Sequence, residues 1–193
     1  MANGQVITGF SLPYVALYAE SSGTISYSSG QILARGVNVQ ISVDSTDANN
    51  FYADNAPAES QAGTFTGGTV TLTVDGLKQT AEKLIMGLPT PGQDGFVVYD
   101  DDQAKPYVGI GFIVRYMSGG TTTYVPIILT KCIFDDVPLE AATQEQEIDW
   151  QTTELTATIL RGDDAKHTWR KVGAGVSTES AAEAVIKTAF SIT

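Results

Sequence analysis

Hydrophobic and polar residues alternate along much of the chain, and this pattern predicts a protein built mainly of β-strands. Valine and isoleucine alternate with polar residues over 37–43, and valine and leucine alternate with threonine over 70–74. Alternation with a period of two is typical of a strand that buries one face, and β-branched threonine suits the other face. PYVALY and TISYSSG predict a further pair of strands, and EIDWQTTELTATIL predicts another long strand.

The clearest hairpin lies in YVGIGFIVRYMSGGTTTYVPIILTKCIF, where two long β-rich runs flank Ser118–Thr121. The Gly-Gly pair in this turn tolerates the positive φ angles of a tight connection. Pro126 interrupts the second run and has no backbone N–H to donate. We therefore expect that strand to lie at a sheet edge or to carry a bulge.

Two segments change to helical spacing. In DGLKQTAEKLIMG, hydrophobic residues recur at i, i+4, i+7 and i+8, with Asp75 as the expected N-cap and Gly87 as the expected residue after the last turn. Near the end of the chain, the helical spacing of apolar residues over 177–190 predicts a second helix, capped by Ser177 or Thr178.

These elements predict a mainly β (α+β) fold of about seven or eight strands with one internal helix and a C-terminal helix. A length of 193 residues suits a single domain covering 1–193. Within it, 1–12 is a candidate N-terminal arm, and 44–66 is expected to form a long loop with little structure of its own.

Charge narrows the classes of function. Eleven Lys and Arg face twenty-two Asp and Glu, a net charge of −11 at pH 7, which argues against wrapping nucleic acid or binding an anionic membrane. From Cys132 to Leu160 there are seven carboxylates and no Lys or Arg, whereas RGDDAKHTWRK packs four basic residues into eleven. These segments are either two solvated faces or complementary surfaces that meet between copies of the chain. In the second case the pairing residues are Asp135, Asp136, Glu145, Glu147, Arg161, Lys166, Arg170 and Lys171.

Neither an export signal nor a membrane helix is expected. The first fifteen residues hold no basic stretch and no uninterrupted apolar run, and no stretch approaches the roughly 18 apolar residues of a membrane helix. The single cysteine, Cys132, lies in an apolar run, which favours a buried, reduced thiol and folding in a reducing cytosol.

Motifs of catalysis and cofactor binding are weak. His167 is the only histidine, which excludes a His-based metal cluster, and no G-x-S-x-G motif accompanies it. The GIG of 109–111 lacks the third glycine of a dinucleotide loop and lies inside a predicted strand. The Arg-Gly-Asp of 161–163 is short enough to occur by chance. We predict no catalytic, cofactor-binding or metal-binding residues and no enzyme, although paired carboxylates for glycoside hydrolysis stay open.

The segment DSTDANNFYADNAPAE (44–59) is rich in the oxygen ligands that calcium prefers. An EF-hand needs oxygens at positions 1, 3 and 5, glycine at 6 and glutamate at 12, and neither the register from Asp44 nor that from Asp47 supplies them. Calcium in another geometry stays open. A long loop is usually functional or disordered, and Phe51 and Tyr52 argue against disorder because large aromatics favour burial, on the domain's own surface or on a neighbour.

The order of these segments resembles that of siphophage major tail proteins, the subunits of long non-contractile tail tubes. The resemblance begins with YVALYAESSGTISYSSGQILARGVNVQISVD followed by NNFYADN. It continues through GGTVTLTVDGLKQTAEKLIMG, YVGIGFIVRY and EAATQEQEIDWQTTELTATILRGDDAKHTWR, and so covers most of the chain in order. The conjunction of segments carries the likeness, since each motif alone has low specificity.

The resemblance implies a β-sandwich or barrel of mostly antiparallel strands with one flanking helix and a C-terminal helix. It also implies a structural protein of the virion, made in the cytoplasm of a host bacterium, that assembles into rings of six stacked as a tube. Its partners would be further copies of itself, the tape measure, tail terminator and distal tail proteins, and DNA that passes through the lumen without specific binding. No cofactor and no membrane are implied. The 44–66 segment would act as an assembly loop, with the residues Asp47, Asn49, Phe51, Tyr52, Asp54 and Asn55.

Two other readings stay open. A β-sandwich module that binds a carbohydrate or a host surface would use the tyrosines and tryptophans, which are equally well explained by core packing. Within the structural class, the tube of a contractile machine or a secretion system is separated only by the family-like motifs.

Overall fold

A computed structural model describes residues 4–53, 55–92, 94–143 and 150–192 and gives a mainly β molecule, as the alternation predicts. About half of its residues lie in strands that pair antiparallel, and two helices accompany them. The elements are β1 Val6–Ser21, β2 Thr24–Ile32, β3 Gly36–Ser45, β4 Asn49–Ala53, β5 Ala56–Gln61, β6 Phe65–Val74, α1 Gln79–Met86, β7 Val108–Ser118, β8 Thr121–Phe134, β9 Thr153–Leu160, β10 Arg170–Val172 and α2 Glu179–Ala189.

Eight strands form one antiparallel sheet in the order β2-β1-β7-β8-β9-β6-β3, with β10 beside β8, while β4 and β5 pair only with each other. The sheet curls so that β3, its last strand, approaches β1 near the opposite end. Gly36 at the start of β3 lies directly against the ring of Phe10 in β1. A side chain at position 36 would meet that ring, so glycine permits the approach. The curled sheet is the barrel-like scaffold that holds every site described below.

The sheet buries both of its faces. Ile85 and Met86 of α1 pack on one face with residues such as Leu72 of β6, and Ile186 and Phe190 at the α2 end pack on the other. Strand β7 lies between these two layers, which explains why its VGIGFIV run is buried at every position instead of alternating. The helices therefore complete two separate hydrophobic clusters, one on each face.

The expected turn and helix ends are largely confirmed. Gly119 and Gly120 adopt φ angles of 55° and 82° between β7 and β8, and Gly87 ends α1 with φ 65°. Of the two candidate caps for α2, Thr178 accepts a hydrogen bond from the Ala181 N–H at 3.3 Å. These positions follow from local chemistry, so the sequence alone identifies them.

Three sequence predictions about element boundaries are wrong. The cap of α1 is Lys78, because the Asp75 carboxylate instead accepts hydrogen bonds from the backbone N–H and the guanidinium of Arg35. Residues 6–12 of the predicted N-terminal arm belong to β1, where they pair with β7. Of the long strand predicted from EIDWQTTELTATIL, 147–149 lie outside the described residues, 150–152 are not in a strand, and β9 begins at Thr153; Trp150 is 82% exposed.

Pro126 also departs from expectation, because β8 is a central strand between β7 and β9 with β10 beside it. Pro126 pairs with Ile113 of β7 without a shift of register, so it marks neither an edge strand nor a bulge in that ladder. Its carbonyl accepts from the Gly173 N–H at 2.8 Å, just beyond the last β10 pair, Val172 with Ile127. Pro126 therefore lacks its N–H at a position where the ladder between β8 and β10 has already ended.

Within the described ranges, neither helix is long and apolar enough to cross a lipid bilayer.

Candidate functional site

Residues 44–66 form a projecting β-hairpin. β3 continues through Ser45, and the Thr46 N–H donates to the Thr64 carbonyl at 2.9 Å while the Thr64 N–H donates to Thr46 Oγ1 at 2.9 Å. Beyond this pair, β4 and β5 make their own antiparallel ladder, and Asn55 in the turn adopts φ 63°. The prediction of a long loop with little structure is therefore wrong. Asn55 is the missed signal, since asparagine tolerates the left-handed φ that a two-residue hairpin turn requires.

The hairpin holds the predicted assembly residues together on one arm. Asn49, Phe51 and Tyr52 lie on β4, Asp47 lies just before it, and Asn55 lies in the turn. Asp54 lies outside the described residues. Phe51 is 64% exposed and Tyr52 is 60% exposed, and neither belongs to the two buried clusters. The rings of Phe51 and Tyr52 thus lie on a hairpin where the core of the protein does not cover them. Exposed aromatic side chains of this kind are typical of a contact surface.

The basic segment RGDDAKHTWRK (161–171) lies at the base of this arm. The Trp169 ring stacks on Phe65, the first residue of β6, with ring centroids 4.4 Å apart and planes 7° from parallel. The Arg170 guanidinium lies over the Trp169 ring, 4.6 Å from its centroid, a stabilising cation–π arrangement. Arg161 follows the last residue of β9, whose Ile159 pairs with Gly68 of β6. Stacking therefore places Arg170, and strand pairing places Arg161, near the root of the hairpin.

Carboxylates within the same segment are engaged inside the chain. Asp163 accepts from Lys131 Nζ at 2.7 Å and from the Tyr18 hydroxyl at 3.0 Å, and these two hydrogen bonds hold the pKa of Asp163 below its usual value. Asp164 accepts from the N–H and the hydroxyl of Thr168, both at 2.7 Å, which lowers its pKa in the same way. Asp163 is exposed but paired with Lys131, so the other exposed charges of the segment are its cations. They are Arg161, Lys166, Arg170 and Lys171.

His167 completes the fold of this segment. It adopts φ 52°, and its ring Nδ1 lies 3.1 Å from the Gly162 carbonyl oxygen. The histidine therefore closes a turn on its own segment, which agrees with a structural role.

The acidic residues lie toward the other end of the sheet. The Asp135 N–H donates to the Thr156 carbonyl at 2.9 Å, and Asp136 pairs with Lys105 at 2.8 Å. Arg161 is five residues beyond Thr156, which at about 3.3 Å per residue is roughly 17 Å along the strand direction. Glu145 and Glu147 lie outside the described residues.

The structure thus does not bring the acidic and basic groups together within one chain. Among the described residues, no salt bridge joins Asp135 or Asp136 to Arg161, Lys166, Arg170 or Lys171. In the same described part of the chain, no cluster of three or more His, Cys, Asp or Glu is arranged to hold a metal ion. What the geometry offers is a polarised body, with a projecting aromatic arm beside cations at one end and carboxylates toward the other.

Comparison with protein-family models and with curated proteins gives no match to this chain.

Proposed function

We propose that this chain is the major tail tube subunit of a long-tailed bacteriophage, which polymerises into stacked hexameric rings that conduct DNA. The observation that carries the proposal is the β4–β5 hairpin with its exposed Phe51 and Tyr52. Large aromatics at the centre of a contact supply much of its binding energy. A surface of this kind on a projecting arm suits a subunit whose partner is another subunit.

The charge distribution supports the same proposal. Cations lie near the root of the arm and carboxylates toward the far end of the sheet, so copies stacked end to end bring opposite charges together. Six copies at −11 each carry −66 per ring, and a negatively charged lumen repels DNA and lets it pass without adhering. The tape measure, tail terminator and distal tail proteins would be the further partners, in a virion assembled in the cytoplasm of the host.

Electron microscopy of negatively stained protein tests this proposal. We expect rings or tubes from the wild-type chain and folded monomers, without tubes, from the double variant Phe51→Ser/Tyr52→Ser, because both side chains are exposed and their loss leaves the core intact. The matched control is Phe51→Leu/Tyr52→Phe, which keeps apolar side chains at both positions and should keep the tubes.

Tubes formed equally well by the serine variant would refute the role of the two aromatics. Uniform monomers of the wild-type chain at high concentration would instead favour the module that binds a carbohydrate or a host surface.

A further inference from the structure

An open groove of about 570 Å³ lies between α1, the 95–99 segment and the 137–139 segment. Its apolar lining includes Leu77, Leu88, Val97 and Val137, all of which pack against the interior cluster. Phe96 and Leu139 on its rim are 71% and 95% exposed. The groove therefore combines a fixed apolar floor with large apolar side chains that are open to solvent.

One wall of the groove is fixed by polar contacts. The Tyr99 hydroxyl donates to a Glu82 carboxylate oxygen at 2.5 Å, and desolvation together with this carboxylate raises the pKa of Tyr99 to about 12. Glu82 and Lys83 are the two charged residues that line the groove. Glu82 is engaged by Tyr99, whereas Lys83 carries the positive charge. The groove thus offers a cation next to apolar surface.

The groove and the hairpin lie at opposite ends of β6. The hairpin ends where β6 begins, at Phe65, whereas Val74 at the end of β6 pairs with Thr153, which lines the groove. Ten residues of strand separate the two, a distance of about 30 Å. A chain cannot place its own arm, which extends from the far end of β6, in its own groove.

The chemistry of the hairpin complements that of the groove. No Lys or Arg occurs from Gly36 to Leu77, while Asp44, Asp47 and Glu59 do, so an acidic arm would meet Lys83. Phe51 and Tyr52 are adjacent on β4, and the β4–β5 ladder shifts its register between them, so the arm presents both exposed rings within one short stretch. Each ring offers roughly 150–250 Å² for burial.

We infer that the groove receives the Phe51–Tyr52 arm of a second copy of this chain. This inference rests on the proposed function, which supplies a second copy of the chain as the partner, and it adds the surface that accepts the arm. The contact joins two different surfaces of identical chains, and a heterologous contact of this kind continues as a filament unless rotation closes it. It therefore supplies the direction along which subunits stack.

Disulfide trapping tests the pairing directly. Cys132 is the chain's single cysteine and is buried, so engineered thiols are the accessible ones. Tyr52→Cys protein is mixed with mass-tagged Leu139→Cys protein under mild oxidation, and the mixed dimer is measured on a non-reducing gel. The control replaces Leu139→Cys by Val185→Cys, a half-exposed position on α2. A disulfide requires Cα atoms about 4.4–6.8 Å apart, and we expect the groove pair to exceed the control about tenfold.

A second variant removes the dependence on disulfide geometry. Leu139→Glu should raise the critical concentration for assembly about tenfold, as expected for loss of a well-packed anchor, while Leu139→Met should leave it unchanged. Leu139 is so exposed that circular dichroism should show native folding for both variants.

The outcomes separate this inference from the tube proposal. Tubes from the wild-type chain, together with trapping no greater than the control and normal assembly of Leu139→Glu, overturn the groove as acceptor and leave the tube proposal standing. Efficient trapping in soluble oligomers that never form tubes supports the arm-to-groove contact and counts against the tube.

Discussion

At the scale of single residues, Gly109 and Gly111 of β7 explain how α2 lies against the sheet. A Cβ atom at Gly111 would approach Ile186 Cγ2 to 2.7 Å, and one at Gly109 would overlap the Tyr27 ring. That ring is fixed, since its hydroxyl donates to the Thr130 carbonyl at 2.8 Å. The GIG sequence that resembles part of a dinucleotide loop is therefore a packing surface, on which only hydrogen atoms fit beneath the helix and its neighbours.

We expect Gly109→Ala to destabilise the protein by about 1–3 kcal/mol, because the extra methyl group overpacks a buried contact whose partner cannot move. The measurement is the free energy of unfolding from urea titration. The control is Gly67→Ala in β6, where the nearest atom to an added Cβ would be the Ile159 carbonyl oxygen at an ordinary 3.6 Å. Equal losses of stability for both variants would contradict this account of the β7 glycines.

Cys132 shows how far a single residue can be predicted. Its apolar sequence context predicts a buried thiol, and the residue is fully buried in β8, where desolvation raises the pKa of the thiol far above its usual value. Burial of this kind follows from the local sequence. In contrast, the partners of Asp75, Asp163 and Asp164 depend on which strands become neighbours, and so they were beyond prediction.

At the scale of elements, the cap of α2 distinguishes two adjacent residues that the sequence left equivalent. Thr178 accepts the hydrogen bond from Ala181, and its extended backbone, with φ −132° and ψ 147°, marks it as the N-cap. We expect Thr178→Ala to cost about 1 kcal/mol, because an N–H of the first turn loses its acceptor. Ser177→Ala, measured by the same urea titration, should change stability by less than about 0.5 kcal/mol. A larger effect at Ser177 would show that the helix begins one residue earlier.

The elements that were predicted correctly are those that bury a face. Alternation identified β3, β6 and the β7–β8 hairpin, and the spacing of apolar residues identified both helices, since periodicity records contact with the core. The β4–β5 hairpin and the start of β1 were missed for the same physical reason. Phe51 and Val6 are more than half exposed, and these segments are held by backbone hydrogen bonds that leave no hydrophobic pattern in the sequence.

At the scale of the whole molecule, the chain is polarised along β6 and β9. The hairpin and the cation-bearing segment 161–171 lie at one end, and the groove with Asp135 and Asp136 lies toward the other. In the proposed end-to-end repeat of the chain, both complementary pairs, the aromatic arm with the apolar groove and the cations with the carboxylates, would come together under one operation. The two features favour the same direction of stacking, which supports the proposed polymerisation.

This polarity predicts how salt and charge substitutions change assembly. Raising sodium chloride from low to high concentration should increase the critical concentration, because exposed charges are screened within about 10 Å at 0.1 M salt. Salt also screens the repulsion between subunits that each carry a net charge of −11, and this screening lowers the critical concentration. Two variants of equal net charge separate the two effects. Lys171→Gln removes a cation of the basic segment, whereas Lys187→Gln removes one that pairs with Glu183 on α2 at 2.8 Å.

Both variants carry a net charge of −12, one less positive charge than the wild-type −11, so they share any change in overall repulsion. We expect Lys171→Gln to raise the critical concentration at low salt roughly two- to five-fold, the range of exposed ion pairs, and to assemble with a weaker dependence on salt. Lys187→Gln should keep the salt dependence of the wild-type chain. Light scattering across a salt series measures both quantities, and identical curves for the two variants would mean that net charge, and not the polarised placement of cations and carboxylates, governs stacking.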